Sequence, residues 1–224
     1  MLKRLPLIFI PLLAILLLTQ AIPLFMASLN SLKVEIFLKD WQTQDQVPTT
    51  QAWDIAYQAS ENSRHWAPIQ NGIHYSLLGE LYLWKAYSIT PENPESAWRS
   101  AIDAFATDHQ LRPTWPYPLL ELVTLKMRVQ EVDAQFDQWV NTFIQTAQWE
   151  GQLLNEFVIE ALYHWPQLNH HQRRIVLESS AQALSLDLRI SRGLKTELEN
   201  TQLLSLFCLY LSIQPADSSH VCPQ

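Results

Sequence analysis

The chain has 224 residues, of which 48% are hydrophobic and only 17% are charged, a composition typical of a folded protein with a sizeable core. It contains 4 glycines against 13 prolines, which disfavours a β-rich fold with many tight turns and loops that cradle phosphates. The net charge is −7 and no basic run is longer than two residues, so nucleic acid is not an expected partner, because phosphate binding needs clustered Lys or Arg.

The N-terminal segment 1–30 is predicted to be a transmembrane signal anchor. Residues 5–29 contain no charged side chain, and a helix needs roughly 20 apolar residues to span a bilayer. The alternative is a signal peptide that is cut after Ala21 or Ala27, but the first of these sites fits the small-x-small pattern poorly. We favour the uncleaved anchor, with the basic pair in the cytoplasm and the rest of the chain on the other side.

The segment 31–50 is predicted to be a juxtamembrane linker, because its second half is polar and contains Pro48. Its first half alternates weakly and could also extend the membrane helix. Thr49 or Thr50 can cap the next helix, which begins a helical-repeat domain over 51–213.

A tetratricopeptide-like pattern follows. Positions four, seven, eight and eleven of that repeat match Tyr75, Leu78, Gly79 and Tyr82, and its second helix matches Ala101 and Phe105. The spacing departs from the repeat over 84–96, which predicts a lengthened first helix and a longer loop.

The rest of the domain is predicted to form further helices joined by short proline turns. Prolines at 113, 116 and 118 break and restart the chain, and Gly193 is predicted to precede a last apolar helix over 194–211. No strand is expected. The predicted fold class is therefore all-α, with an N-terminal transmembrane helix followed by tetratricopeptide-like stacked helical hairpins.

The two cysteines, Cys208 and Cys222, predict one disulfide, since an even number of cysteines in an oxidising space favours pairing. This bond would tie the C-terminal tail, 214–224, back onto the last helix. The alternative is two free thiols.

No arrangement of residues predicts catalysis. Zinc needs three or four ligands at workable spacing, and His164 with His170-His171 does not supply a recognised set. Glu156 and Glu160 lie one helical turn apart, as on an ordinary solvated face. We therefore predict no catalytic residue, no metal and no cofactor, and expect a protein that is not an enzyme.

Nine tryptophans are spread along the chain, and most are expected to fill the gaps between helices. Aromatic faces also stack on sugar rings. Trp84, Trp115 and Trp149, near predicted helix ends, are the candidates for a glycan-binding surface.

Several motifs occur together behind the single membrane segment: Arg-Pro-x-Trp-Pro at 112–116, a Gln-Trp-Glu helix start at 148–150, a Trp-Pro-x-Leu turn at 165–168 and the cysteine pair. This combination resembles the VpsP family of polysaccharide-biosynthesis proteins, most strongly over 97–168 and over most of residues 1–224. The resemblance implies a role in exopolysaccharide production and supplies no catalytic residues.

The resemblance suggests a membrane-anchored, periplasm-facing scaffold in the inner membrane. Its expected partners are membrane-bound polysaccharide polymerase, ligase or export proteins, together with the membrane itself through residues 5–29. A direct glycan-binding or chain-length-modulating protein and a general envelope scaffold are the alternatives. By their place in the repeat pattern, the candidate partner-binding residues are Tyr75, Tyr82, Arg112, Trp115 and Tyr117, each of which could instead serve packing or capping.

Overall fold

The computed structural model describes residues 5–44, 47–213 and 220–222, and every regular element in these ranges is a helix, which confirms the all-α prediction. The α-helices are α1 (Leu5–Gln44), α2 (Thr50–Trp66), α3 (Gly72–Trp84), α4 (Glu95–Leu111), α5 (Tyr117–Arg128), α6 (Ala134–Thr146), α7 (Gly151–Tyr163), α8 (His170–Leu186), α9 (Ser191–Asn200) and α10 (Leu204–Leu211). The chain divides into two compact units, Met1–Arg112 and Pro113–Gln224, where the sequence predicted one helical-repeat domain over 51–213.

Helix α1 runs without a break for 40 residues, from the apolar segment into the core of the first unit. Within the described side chains, Leu17–Gln44 is long and apolar enough to cross a membrane. The second half of α1 packs against α2 and α3 and buries Val34, Leu38 and Trp41. The linker predicted over 31–50 is therefore wrong as far as Gln44, because these three side chains form an apolar stripe at helical spacing.

The packing of α3 on α4 follows the tetratricopeptide pattern. Gly79 lies so close to α4 that an added Cβ would come within 2.6 Å of the Phe105 ring. Ala101 and Phe105 are 0% and 1% exposed. A small residue thus faces a large aromatic across the hairpin, and this complementarity sets the close approach of the two helices.

The extra residues between α3 and α4 form a lengthened first helix and a loop, as predicted. The helix continues as a π-helical turn over Lys85–Ile89, and Thr90 N–H donates to the carbonyl oxygen of Lys85 at 2.9 Å. A loop then leads to α4. A π-turn adds one residue to a helical turn and is frequent at functional sites.

The second unit is built from two hairpins, α5–α6 and α7–α8, with α5 also packed on α7. Phe143 and Phe157 meet in its core with ring centroids 5.5 Å apart. The buried Lys126 fixes the first hairpin turn, because its Nζ atom donates to Glu131 and Asp133, each at 2.9 Å. Asp133 also caps α6 by accepting from Phe136 N–H.

The end of the chain differs from the prediction in one respect. The single helix predicted over 194–211 is two helices, α9 and α10, separated at Gln202, whose φ of 61° is left-handed. The predicted disulfide between Cys208 and Cys222 is present, and Val221 beside it is fully buried. Of the predicted tail 214–224, only residues 220–222 lie within the described part.

Replacing Gly79 by Ala is expected to destabilise the first unit by about 1–3 kcal/mol, because the added methyl group would overlap the Phe105 ring. Gly193 is the matched control: it also lies in a helix, and no atom stands within 4 Å of its added Cβ. Gly193→Ala should therefore be neutral or stabilising by about 0.5–1 kcal/mol. Urea unfolding followed by circular dichroism measures both. Equal stability changes would contradict the close packing at Gly79.

Candidate interaction surfaces

Tyr82 belongs to an aromatic cluster between α2 and α3. Trp53 stacks on Tyr57 with ring centroids 5.0 Å apart, and the Tyr82 ring lies 6.2 Å from Trp53 and 6.0 Å from Tyr57. The Lys85 ammonium lies 4.6 Å from the centre of the Trp53 ring. Trp53 Nε1 donates to the Leu81 carbonyl oxygen at 2.7 Å, which orients the whole group. Tyr82 is half-buried in this cluster, so packing accounts for much of its position.

Tyr75 lies two turns before Tyr82 on the same face of α3 and is also half-buried. The guanidinium carbon of Arg64 lies 5.5 Å from the centre of its ring, a cation–π geometry, and Arg64 forms an ion pair with Glu61. Tyr75 therefore covers the contact between α2 and α3 rather than projecting freely into solvent.

Arg112 forms an internal ion pair. Its Nε and Nη2 atoms donate to the two oxygens of Asp108, both at 2.6 Å, and the Asp108 side chain is fully buried. This carboxylate lies against the first residue of α3, since an added Cβ on Gly72 would overlap Asp108 Oδ1. The N-terminus of a helix favours a negative charge. Arg112 thus has a structural role that its position before a proline did not reveal.

Trp115 and Tyr117 form the most accessible pair among the predicted partner-binding residues. They are 46% and 47% exposed, and their rings stack with centroids 5.1 Å apart. Pro116 between them is buried and precedes the first turn of α5. The proline-fixed turn therefore presents two stacked aromatic rings, with their planes inclined by 29°, on the surface of the second unit. Tyr75, Tyr82 and Arg112 lie in the other unit.

Sequence reasoning missed a polar groove between α5 and α7. It has a volume of about 290 Å³ and is lined by Leu120, Glu121, Thr124, Arg128, Glu156, Ile159 and Glu160. Arg128 Nε donates to Glu160 Oε1 at 2.7 Å across the groove. Burial raises the pKa of Glu156. The sequence showed that Glu156 and Glu160 lie on one helical face. It did not show that Arg128, which lies on another helix, pairs with Glu160.

A second cavity of about 290 Å³ lies in the first unit, where α1 meets the turn between α2 and α3. Ser31 and His74 share a buried hydrogen bond of 2.8 Å there. Burial, and to a smaller extent the nearby Arg64, lowers the pKa of His74, which favours the neutral ring. Further along the same two helices, burial and then the neighbouring Glu35 carboxylate raise the pKa of Glu80 to about 7.

The histidines considered as metal ligands are dispersed. His170 and His171 are exposed in the first turn of α8, and His164 lies 3.9 Å from Glu160. No group of three or more His, Cys, Asp or Glu side chains that could hold a metal occurs in the part of the chain that the structure describes.

Comparison with known proteins gives no match: no family, no characterised protein and no solved structure is significantly similar to this chain.

The role of Arg112 can be tested against that of Arg99, since each pairs with a carboxylate one turn earlier on α4. Arg112→Ala would leave the buried Asp108 unpaired and should destabilise the protein by about 3–5 kcal/mol. Arg99→Ala breaks a 2.9 Å pair with Glu95 in which both side chains are exposed, and should cost less than about 1 kcal/mol. Urea unfolding measures both. An unaffected stability in Arg112→Ala would leave Arg112 available as a partner contact.

Relative to the Glu80→Gln variant, the stability of the first unit should fall as pH rises from about 5 to about 8. The folded state holds the Glu80 proton up to a pKa of about 7, whereas the ordinary value is 4.5, so the folded state binds more protons across this window. Glu80→Gln should flatten this part of the pH profile and raise stability above pH 7. Glu92→Gln, at an exposed loop position, is the control and should leave the profile unchanged. Identical pH profiles for the wild type and Glu80→Gln would contradict the assignment, since His74, whose pKa is lowered, contributes equally to both profiles.

Proposed function

We propose that this protein is a non-catalytic, membrane-anchored scaffold that supports the biosynthesis, polymerisation or export of an extracellular polysaccharide. The observation behind this proposal is the continuity of α1. The apolar helix does not end in a flexible linker but enters the core of the first unit through Val34, Leu38 and Trp41. A domain joined to the membrane in this way stays at a fixed distance from the bilayer. Its effective concentration near a membrane-bound partner is therefore raised.

The proposed location is the inner membrane, with one spanning helix and the C-terminal part in the periplasm. The basic pair at positions 3 and 4 precedes the apolar segment, which favours a cytoplasmic N-terminus. The Cys208–Cys222 disulfide supports an oxidising compartment for the other end of the chain.

The proposed partner surface is the stacked Trp115–Tyr117 pair. Rigid, exposed aromatic side chains are the residue types that contribute most to protein interfaces, because they bury a large area at a small cost in conformational entropy. The resemblance to the VpsP family points to polysaccharide polymerase, ligase or export proteins as the partners.

Site-specific photo-crosslinking in intact cells tests this proposal. A photoreactive phenylalanine analogue at Tyr117 should capture a polysaccharide polymerase, ligase or export protein, identified by mass spectrometry. The same analogue at Tyr163, which is 57% exposed and lies in the same unit, is the control and should not capture it. Equal capture at both positions would refute the surface, and good crosslinking yield without any such protein would refute the polysaccharide role.

A direct glycan-binding role is the second candidate, and the exposed tryptophans favour it. Trp149 is 78% exposed and Trp115 is 46% exposed, whereas Trp84 packs against Trp41 with ring centroids 5.8 Å apart and is not available as a flat platform. Titration of the purified protein with the exopolysaccharide, followed by tryptophan fluorescence, separates the two candidates. Loss of binding in Trp115→Ala but not in the exposed control Trp66→Ala would favour glycan binding.

A further inference from the structure

We propose that the turn between α2 and α3, residues 67–71, together with Trp66 and Ile73 beside it, inserts into the bilayer surface next to the anchor. We call these residues, 66–73, the membrane-facing turn. The occupant of this apolar surface would be the headgroup and upper acyl region of the leaflet from which α1 emerges toward the first unit. This inference rests on the proposed membrane insertion of α1, and it adds a second contact between the first unit and the membrane.

The depth of the membrane-facing turn follows from the continuity of α1. At about 1.5 Å per residue, α1 rises about 30 Å from Leu5 to Leu24, which matches the roughly 30 Å thickness of a hydrocarbon core. The headgroup layer adds about 5–8 Å on each side, which reaches roughly to Ser28. Residues 24–28 of α1 therefore mark the boundary between acyl chains and headgroups.

The membrane-facing turn lies at that level. Leu24, Ala27 and Ser28 of α1 line the same cavity as Ile69 and Ile73. Both sets of residues belong to the first unit, so their relative depth is set by the packing of α1 against α2 and α3. A bilayer that ends near Leu24–Ser28 on α1 must meet this turn.

The side chains of the turn suit an interfacial position. Ile69 is 80% exposed, Ile73 is 40% exposed and Trp66 is 40% exposed, although all three are large and apolar. Tryptophan is enriched at the level of lipid headgroups, because its ring has an apolar body and a polar N–H. Insertion of this group would remove from water the apolar surface that the fold leaves uncovered.

The membrane-facing turn carries no acidic side chain. No acidic residue occurs between Glu61 and Glu80, so this segment has no carboxylate that would have to enter the headgroup layer. Arg64, two residues before the turn, is paired with Glu61 within the fold. Exposed Leu32 of α1 also lines the cavity, together with Glu35 one turn further along α1.

A second contact would fix the orientation of the first unit. A single helix leaves the unit free to rotate about the helix axis, whereas an inserted turn on one side of α1 selects one face toward the bilayer. The faces that remain accessible would then always point in the same direction relative to a membrane-bound partner.

Spin-label depth measurement on the full chain tests the inference. Because the two native cysteines form a disulfide, a single introduced cysteine can be labelled selectively. The variants are Ile69→Cys, Leu17→Cys in the apolar segment and Val47→Cys, which is 68% exposed and follows the far end of α1. Each labelled protein is reconstituted in vesicles of phosphatidylethanolamine and phosphatidylglycerol, and relaxation by lipid-soluble oxygen is compared with relaxation by a water-soluble nickel complex.

The expected result is that the label at Ile69 shows a several-fold higher oxygen-to-nickel accessibility ratio than the label at Val47, with the highest ratio at Leu17. A label at Leu17 in lipid and a label at Ile69 as aqueous as that at Val47 would overturn the inference while leaving the anchor intact. Aqueous labels at all three positions would overturn both the membrane anchor and the inference.

Discussion

The continuity of α1 is the constraint on which the first unit depends. One helix runs from the apolar N-terminal segment to Gln44, although Pro11 and Pro23 inside it have no backbone N–H to donate. The same helix then contributes Val34, Leu38 and Trp41 to the core with α2 and α3. The apolar N-terminal segment and part of the domain core therefore belong to one helix, and a change in the direction of that helix changes the position of the core relative to the segment.

Close approach of helices is achieved by small residues opposite large ones, and by buried charges that are fully paired. Gly79 against Phe105 sets the α3–α4 distance, and Gly72 leaves room for the Asp108 carboxylate at the start of α3. In the second unit, Lys126 plays a similar part by joining Glu131 and Asp133 across a tight turn. These contacts need specific residues at specific places, whereas the aliphatic remainder of the cores needs only suitable volume.

Sequence reasoning succeeded where the physical cause is local. The repeat-like spacing around Gly79 and Phe105 depends on helical periodicity, and the excess length after Trp84 predicted an irregular segment. The linker prediction failed although a local signal was present, since Val34, Leu38 and Trp41 recur at helical spacing. The break at Gln202 had no glycine or proline to indicate it. The Arg128–Glu160 pair joins residues 32 positions apart, so it required the packing of α5 on α7, which local patterns do not specify.

The disulfide at the end of the chain has a consequence for how the molecule is made. Disulfides form and persist in oxidising compartments, so the pairing of Cys208 with Cys222 depends on the redox state of the compartment in which the chain folds. A copy that folds in a reducing compartment would keep two free thiols, and Val221 would lose its covalent tether to α10. The redox state of these two sulfur atoms therefore reports the kind of compartment in which each copy was folded.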